Sequence, residues 1–297
     1  MIPQNKTEEL LKSFIRDSLS PKKEEKSRIT YRYNQLKSFL EGSDIFQVGS
    51  YARFTSVTPV HDLDVIWVIP KPLLEEKKIS PQDLNLKDVL VDLAEKLTKE
   101  YKAVGETVDC TPQTHSVSID FLKKESFSID LVPAVESGEN NEFSESIYLV
   151  PEDEGEKIKW IKSDPKGYIS EATVLNETDV FRKATKYVKA WKYSYEDEKT
   201  DFPLKSFHLE QIVKDILVKN PKHSVYFTVL TLFNELETYI TTPKIPDRAN
   251  PSLMIDEYVE EFSEEEYLLV STAQKLALER FSSIPNSNSE QEALLLV

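Results

Sequence analysis

The feature that most constrains the fold of this chain is a pair of aspartates, Asp62 and Asp64, at the start of an apolar stretch that runs to residue 69. The β-branched and aromatic residues of that stretch predict a strand. Side chains alternate along a strand, so Asp62 and Asp64 project to one side while Leu63 and Val65 enter the core. Two adjacent carboxylates repel each other, and a hard cation such as Mg²⁺ relieves that repulsion. The pattern therefore predicts a metal-binding pair on a rigid element.

An Asp-x-Asp pair alone also occurs at solvated strand ends, but here a Gly-Ser corner precedes it. A spacer of eleven residues separates Gly49-Ser50 from Asp62. Glycine lets the backbone approach a ligand closely, and backbone N–H groups together with a serine hydroxyl suit phosphate oxygens. The combination predicts a site for a phosphorylated substrate and a metal.

The remaining pattern predicts an α+β chain, with a mixed sheet first and helices later. Two helices are expected in the first 42 residues, the second capped by Ser20-Pro21. The other predicted elements are strands at 45–48, 63–69, 115–122 and 127–132, a helix from Ser80-Pro81, helices at 179–195, 207–219 and 225–240, and a last helix opened by the capping box Ser263 to Glu266. The acidic stretch 136–170 is expected to be loop-rich.

Composition excludes several classes of protein. The chain has 37 Lys+Arg against 52 Asp+Glu, a net charge of −15, which argues against coating nucleic acid. The single cysteine, Cys110, excludes an internal disulfide framework and fits a reducing compartment, so we expect a cytoplasmic protein. No apolar run reaches the roughly 18 residues of a membrane span, so no membrane association is expected.

Two further motifs complete a family resemblance. Gly49-Ser50 with Asp62-x-Asp64, followed by Asp130 within Ile129-Asp130-Leu131-Val132, resembles the nucleotidyltransferase superfamily related to DNA polymerase β. Lys186-Tyr187 and the stretch 205–210, Lys-Ser-Phe-His-Leu-Glu, resemble the helical lobe of the CD-NTases. These are the bacterial relatives of cyclic GMP–AMP synthase and oligoadenylate synthase. The resemblance covers residues 20–280.

The resemblance implies a role for each motif. Asp62, Asp64 and Asp130 would be the catalytic residues and would hold two Mg²⁺ ions, for which Mn²⁺ can substitute. Nucleotide binding would fall to a second set of residues: Gly49, Ser50, Arg182, Lys186, Ser206 and Phe207. In this set Gly49 and Ser50 would hold the β- and γ-phosphates, Lys186 would neutralise the triphosphate, and Phe207 would stack on a base.

Alternatives from the residues themselves stay open for the helical motifs. The basic stripe of Arg182, Lys186 and Lys189 is also what a solvated helix face looks like. Ser206 is also an N-cap candidate, and Phe207 is also a candidate core residue.

The implied fold is a polymerase β-like nucleotidyltransferase, α+β, with an N-terminal spine helix, a mixed-sheet lobe, a helical C-terminal lobe and the active site in the cleft between them. The expected domains are a catalytic core at 1–170, a helical lobe at 171–285 and a mobile tail at 286–297. The implied activity makes a cyclic di- or trinucleotide from ATP and other NTPs, with release of pyrophosphate. In the family this product activates an effector protein in antiphage (CBASS) signalling.

Three other functions use the same carboxylates or the same fold. A tRNA nucleotidyltransferase or poly(A) polymerase must hold a long polyanion, which the charge balance disfavours. A nucleotidyltransferase acting on an antibiotic is disfavoured by the large second lobe. A catalytically inactive nucleotide-binding regulator is disfavoured because all three carboxylates are present.

Two further predictions concern Asp120 and activation. If residue 122 pairs with 127 in the hairpin, Asp120 and Asp130 point to opposite faces of the sheet, so only one of them can join Asp62 and Asp64. We expect Asp130 to be that residue. The basic run from Lys22 to Arg32 is interrupted by Glu24 and Glu25, which favours a solvated helix face over a duplex-binding site. We therefore expect no nucleic-acid activator, and activity that is either constitutive or controlled by a protein partner or small ligand.

Overall fold

A computed structural model of the chain describes residues 3–71, 85–121, 126–139, 147–153, 158–196, 201–287 and 289–292. The chain divides into two compact units. The sheet unit comprises Pro21–Phe54 and Pro59–Ser170, and the helical unit comprises Met1–Ser20, Thr55–Thr58 and Glu171–Val297. The expected domain at 1–170 differs from this division, because Met1–Ser20 and Thr55–Thr58 belong to the helical unit. Of the expected tail, residues 288 and 293–297 lie outside the described residues.

The described part of the sheet unit contains a mixed sheet, as the sequence predicts. Its strands are β1 Ile45–Gln47, β2 Asp62–Val68, β3 Val108–Pro112, β4 Val117–Phe121, β5 Ser128–Glu136, β6 Tyr148–Asp153 and β7 Ile158–Ser163. The order is β1-β2-β5-β4-β3, and β6 pairs with the C-terminal end of β5 and with β7. The β2–β5 pair is parallel, and the other pairs are antiparallel.

Helices account for most of the remaining described residues. They are α1 Gln4–Phe14, α2 Lys23–Phe39, α3 Gly49–Ala52, α4 Leu86–Ala103, α5 Pro165–Leu175, α6 Val180–Tyr193, α7 Ser206–Lys219, α8 Val225–Ile240 and α9 Glu264–Ser283. None of the helices in these ranges combines the length and the apolar character that a membrane span requires.

The core of the sheet unit explains why the strands alternate as they do. Leu63 and Val65 of β2 and Ile129 and Leu131 of β5 are fully buried. They belong to one cluster with the apolar stripes of α2 and α4, which include Leu36, Leu90, Leu93 and Leu97. Side chains alternate along a strand, so the residues between these apolar positions face away from this core. Asp64 and Asp130 occupy such positions.

The predicted cap of α2 is wrong. Ser20 donates its hydroxyl to the carbonyl of Ile15 (3.0 Å), at the end of a π-helical turn over Ile15–Leu19, so it does not cap the next helix. The helix begins two residues after Pro21, where the Lys22 amide donates to the Glu25 carboxylate (2.6 Å). The predicted helix start at Ser80-Pro81 lies outside the described residues, and α4 begins after Asn85.

The expectation of a loop-rich stretch at 136–170 is wrong as well. Two antiparallel strands, β6 and β7, and the start of α5 occupy much of it. The segment is acidic in composition, yet Ile147 and Tyr148 are buried, and Tyr148 packs with Ile66, Val68 and Ala134 of the neighbouring strands. Burial on one face is sufficient for a hairpin even where the rest of the segment is polar.

The helical unit has its own apolar core, and the helices predicted at 179–195, 207–219 and 225–240 are confirmed. Fully buried residues from α6 to α9 form this core, together with Leu11 of α1 and Ile15. Because Leu11 and Ile15 are buried among residues of these helices, the first 20 residues belong to this unit. The capping box of the last helix is present, since Glu266 accepts the Ser263 amide (2.8 Å) and donates its own amide to the Ser263 hydroxyl (3.2 Å).

Candidate active site

Three aspartates lie together on two neighbouring parallel strands of the sheet unit. Asp62 and Asp64 are on β2, Asp130 is on β5, and Asp64 is the direct register partner of Asp130. One carboxylate oxygen from each of the three residues lies within 4.8 Å of the other two. The structure therefore brings together the three carboxylates that the sequence singles out for metal binding.

The electrostatics of this group suit a cation. Partial burial raises the pKa of Asp130, the negative charges of Asp62 and Asp120 raise it further, and a hydrogen bond from Ser118 opposes the shift. A raised carboxyl pKa means that the surroundings stabilise the negative charge poorly, and a bound cation would stabilise it. All the donors are hard oxygens, so the donor set fits Mg²⁺ or Mn²⁺ rather than a softer metal.

The prediction that Asp120 and Asp130 point to opposite faces is wrong. In the structure Ser118 pairs with Asp130 and Asp120 pairs with Ser128, one residue away from the predicted register. Ser118 and Asp120 are two residues apart on one strand, so Asp120 shares the face of Asp130. The assumed partner, residue 122, lies outside the described residues. Asp130 is nonetheless the residue grouped with Asp62 and Asp64, because its strand is next to β2 and the strand of Asp120 is one further away.

Gly49 lies directly against the Asp64 carboxylate. The Val48 amide donates to the Asp64 carbonyl (2.9 Å), which holds the preceding chain beside β2. Gly49 has a φ of +65°, and a Cβ built at this position would lie 1.8 Å from Oδ2 of Asp64. Glycine is therefore required for its backbone conformation and for space. Ser50 follows as the second residue of α3.

We expect Gly49→Ala to lower the affinity of the protein for Mn²⁺ by about 10–100-fold, the range seen when a group that orients a metal ligand is changed. The added methyl group would force the Asp64 carboxylate away from its position. Isothermal titration calorimetry measures this effect. Gly105→Ala is the matched control, because Gly105 also has positive φ (+77°) but has open space around its missing Cβ. Equal Mn²⁺ affinities in the two variants would contradict the steric argument.

Two of the predicted nucleotide-binding residues lie on α6 of the helical unit. Lys186 donates from Nζ to the hydroxyl of Ser20 (3.0 Å). The Arg182 amide donates to the side chain of Asn176 (3.2 Å), and partial burial lowers the pKa of the Arg182 guanidinium.

The alternative of a solvated basic face formed by Arg182, Lys186 and Lys189 is wrong for Lys189. Lys189 is only 2% exposed and forms an ion pair with Glu210 (2.8 Å), which is fully buried. Lys192 is also buried and pairs with Glu196. The helix thus uses part of its positive charge inside the helical unit.

The start of α7 carries the other two predicted residues. Ser206 is the first helical residue, and Lys205 is the N-cap residue, so the N-cap alternative for Ser206 is wrong by one position. The Ser206 hydroxyl donates to the Tyr193 hydroxyl (3.3 Å). Phe207 is half-buried rather than enclosed in the core.

A buried histidine fixes this helix start. The Lys205 amide donates to the Tyr258 hydroxyl (2.9 Å), which in turn lies 2.9 Å from Nδ1 of His208. Burial lowers the pKa of His208 to about 4, although the carboxylate of Asp256 acts in the opposite direction. His208 is therefore neutral at pH 7, and its Nδ1 shares a hydrogen bond with the Tyr258 hydroxyl.

The basic run of α2 is not a solvated face throughout. Arg32 is buried, forms an ion pair with Glu106 (2.9 Å) and stacks on the ring of Phe121. Arg28 donates to the carbonyl of Val60 (3.4 Å). Two of its five cations thus serve contacts within the sheet unit.

Sequence reasoning missed Thr55 and Glu210, which contact each other and Lys189. A signal existed for Glu210, because a carboxylate beside Leu209, Ile212 and Val213 on an apolar helix must have a buried partner. No local pattern identifies Thr55, since its contacts come from residues more than a hundred positions away.

Residues 6–176, more than half of the chain, match the family model for the Second Messenger Oligonucleotide or Dinucleotide Synthetase domain (SMODS). No match was found among curated proteins.

Solved structures share the fold across nearly the whole chain. The Escherichia coli MS115-1 protein CdnC, solved with ATP, superposes with a TM-score of 0.74 at 17% identity, covering 97% of this chain and 95% of its own. CdnC in a complex with HORMA-deltaN gives 0.70 at 18% identity with the same coverage. The Vibrio cholerae di-nucleotide cyclase DncV gives 0.64 at 17% identity, covering 86% of this chain and 68% of its own. At these identities the likeness shows the fold, a polymerase β-like α+β architecture.

Proposed function

We propose that this chain, which belongs to the Second Messenger Oligonucleotide or Dinucleotide Synthetase family, joins nucleoside triphosphates into a cyclic di- or trinucleotide. In each transfer a ribose hydroxyl oxygen bonds to the α-phosphorus of a second nucleotide. The bond from that phosphorus to the β-phosphate oxygen breaks, pyrophosphate leaves, and the hydroxyl proton passes to solvent. The observation that carries the proposal is the group of Asp62, Asp64 and Asp130 beside the Gly49 corner.

The three aspartates would hold two Mg²⁺ ions, for which Mn²⁺ can substitute. When bound, such ions neutralise triphosphate charge and lower the pKa of an attacking hydroxyl. Placing the carboxylates on adjacent strands with fully buried neighbours fixes the spacing of the ligand oxygens before the metal arrives. Preorganisation of this kind avoids reorganising charged groups during the reaction.

The remaining predicted residues would bind the nucleotides. Gly49 and Ser50 would present backbone N–H groups and a hydroxyl to the β- and γ-phosphates. Lys186 and Arg182 would add positive charge for the triphosphate. Ser206 and Phe207 lie at a helix start held by Tyr258 and His208, and there Phe207 would stack on a base.

Lys186→Ala is expected to weaken NTP binding by about ten- to a hundredfold, because a charge-assisted hydrogen bond is worth about 1.5–3 kcal/mol. Loss of the contact from Lys186 to Ser20 should have a smaller effect on the fold. Calorimetric titration with a non-hydrolysable ATP analogue and Mg²⁺ measures the affinity. Lys183→Ala on the same helix is the control, since its Nζ pairs with Asp179. An unchanged affinity in Lys186→Ala would remove this residue from the nucleotide site.

The proposed function is tested by incubating the purified protein with all four NTPs and Mg²⁺ or Mn²⁺, followed by mass spectrometry and a pyrophosphate assay. Masses of cyclic di- or trinucleotides with matching pyrophosphate would support the proposal. A second reaction supplies tRNA or oligo(A) as the acceptor. Elongation of that acceptor without cyclic product would instead favour a tRNA nucleotidyltransferase or poly(A) polymerase, and NTP binding without pyrophosphate would favour an inactive regulator.

We also propose that no nucleic acid activates the enzyme. A duplex sensor needs a positive surface that releases counterions, whereas this chain has a net charge of −15 and uses Arg28 and Arg32 in internal contacts. Adding long double-stranded DNA or RNA at low and physiological salt to the same assay tests this. A tenfold stimulation that fades as salt rises would overturn it.

Control by a protein partner is the alternative to constitutive activity. CdnC, which shares this fold, has been solved in a complex with HORMA-deltaN, and we propose a regulatory protein partner for this chain too. We further propose, on family membership alone, that the product is read by an effector protein in antiphage (CBASS) signalling.

A further inference from the structure

Four residues, Thr55–Thr58, belong to the helical unit although both neighbouring stretches of chain belong to the sheet unit. We call them the anchored segment. It begins five residues after Ser50 and ends four residues before Asp62. The chain between the proposed phosphate corner and the first carboxylate therefore has to pass through it.

A buried ion pair holds the start of the anchored segment. The Thr55 hydroxyl donates to Oε2 of Glu210 (2.8 Å), and Nζ of Lys189 lies 2.8 Å from the same oxygen and 3.3 Å from Thr55 Oγ1. Thr55 and Glu210 have no exposed surface, and Lys189 is 2% exposed. At the other end, the amide of Thr58 donates to the carbonyl of Leu19 (2.9 Å).

The backbone just before the anchored segment is strained. Phe54 has a φ of +60° and is 60% exposed, although a bulky residue rarely adopts this conformation. Such a residue persists only where the surroundings over-determine it, and strained residues of this kind cluster at functional sites. The contacts of Thr55, the next residue, supply that constraint.

Stability alone does not account for the ion pair. A buried pair can be replaced by apolar side chains at little or no cost to stability, and its best-attested use is to specify one arrangement of the chain. Here the arrangement specified is the path of a segment that continues into Ser50 on one side and Asp62 on the other.

We infer that Thr55, Lys189 and Glu210 are positioning residues for nucleotidyl transfer. They touch no reacting atom, and they fix the path of the chain between Ser50 and Asp62. The inference rests on the proposed function for its catalytic consequence. Small displacements of reacting groups lower rates steeply, so release of the anchored segment should slow the reaction about a hundredfold.

The test compares Thr55→Val, which removes the hydroxyl that contacts Glu210 and Lys189, with Thr55→Ser, which keeps a hydroxyl. Thr228→Val is the matched control, because Thr228 is equally buried and its hydroxyl donates to the carbonyl of Ser224, the N-cap residue of α8. Three quantities are measured on each full-length protein: the melting temperature, amide hydrogen exchange of peptides spanning residues 49–62 by mass spectrometry, and the rate of product formation.

We expect Thr55→Val to melt close to Thr228→Val, to exchange at least tenfold faster across 49–62, and to form product at least tenfold more slowly. Thr55→Ser should restore both the exchange and the rate. Unchanged exchange in Thr55→Val, or a rate equal to that of Thr228→Val, would overturn the inference. The exchange result does not depend on product, so a wild type that forms none counts against the proposed function, while the exchange still decides whether the segment is anchored.

Discussion

Asp64→Asn is expected to lower product formation by at least about a thousandfold, because changes to groups that merely orient a metal ligand already cost about 10–100-fold. The substitution keeps the size of the side chain and removes a negative charge and a metal-binding oxygen. Asp64 is central to the group, since it pairs with Asp130 across the strands and contacts the Gly49 corner. Asp62→Asn should have a similar effect. Retained activity in both variants would end the two-metal hypothesis.

The same substitutions should leave the fold intact and stabilise the metal-free protein. The three carboxylates repel one another, so removing one charge should raise the melting temperature by a few degrees, given about 2–4 °C per kcal/mol in a chain of this size. Differential scanning fluorimetry in EDTA measures this. Added Mg²⁺ should raise the melting temperature of the wild type more than that of Asp64→Asn.

The raised pKa of Asp130 gives this stabilisation a pH dependence. Between the ordinary range of an aspartate and its raised value, the folded state binds more protons than the unfolded state. The stability of the metal-free wild type should therefore fall as pH rises through this window. Asp130→Asn has no carboxyl group at this position and therefore lacks this pH dependence. The difference in stability between the metal-free variant and the metal-free wild type should grow as pH rises through the window and then level off.

Asp120→Asn is the control for the carboxylate series. Asp120 lies on the same face as Asp130 but on the next strand, outside the group that could hold a metal. The Asp120→Asn variant should keep most of the product formation of the wild type. If Asp120→Asn is inactive and Asp130→Asn is active, the assignment of the third ligand is wrong.

Local pattern was sufficient to predict the pair of Asp62 and Asp64, because it depends only on the alternation of a strand, which a sequence carries. Asp130 was predicted from the family resemblance, since strand periodicity alone did not distinguish it from Asp120. The register of the hairpin could not be predicted from strand periodicity. One residue more or fewer in the turn shifts the pairing of the two strands by one position, and that shift moves every side chain of a strand to the other face.

Burial was harder to predict for charged segments and charged side chains that the fold nevertheless buries. The stretch 136–170 is polar in composition, yet one apolar face of its strands was enough to form a hairpin. The lysines of α6 formed a basic stripe in the sequence, but Lys189 meets Glu210 only because two helices pack together in the folded chain. Long-range partners of this kind leave no trace in local periodicity.

Lys189→Met is expected to lower the free energy of unfolding by about 3–5 kcal/mol, because it removes the Lys189 ammonium group from its ion pair with the fully buried Glu210 carboxylate. Urea unfolding followed by circular dichroism measures the change, and the melting temperature should fall by roughly 10 °C at about 2–4 °C per kcal/mol. The control is Lys214→Met. Lys214 pairs with a partly exposed Glu171 that also contacts Arg248, so its loss should cost less than about 1 kcal/mol.

The double variant Lys189→Met/Glu210→Leu separates stability from function. Replacing both charges with apolar side chains of similar volume is often neutral or stabilising, so unfolding should return close to the wild-type value. The Thr55 hydroxyl would no longer have the Glu210 carboxylate as an acceptor, and product formation should stay low despite the recovered stability. A double variant that is both stable and fully active would show that the pair serves only the fold, whereas one that is stable and slow assigns the buried charges to holding the chain between Ser50 and Asp62.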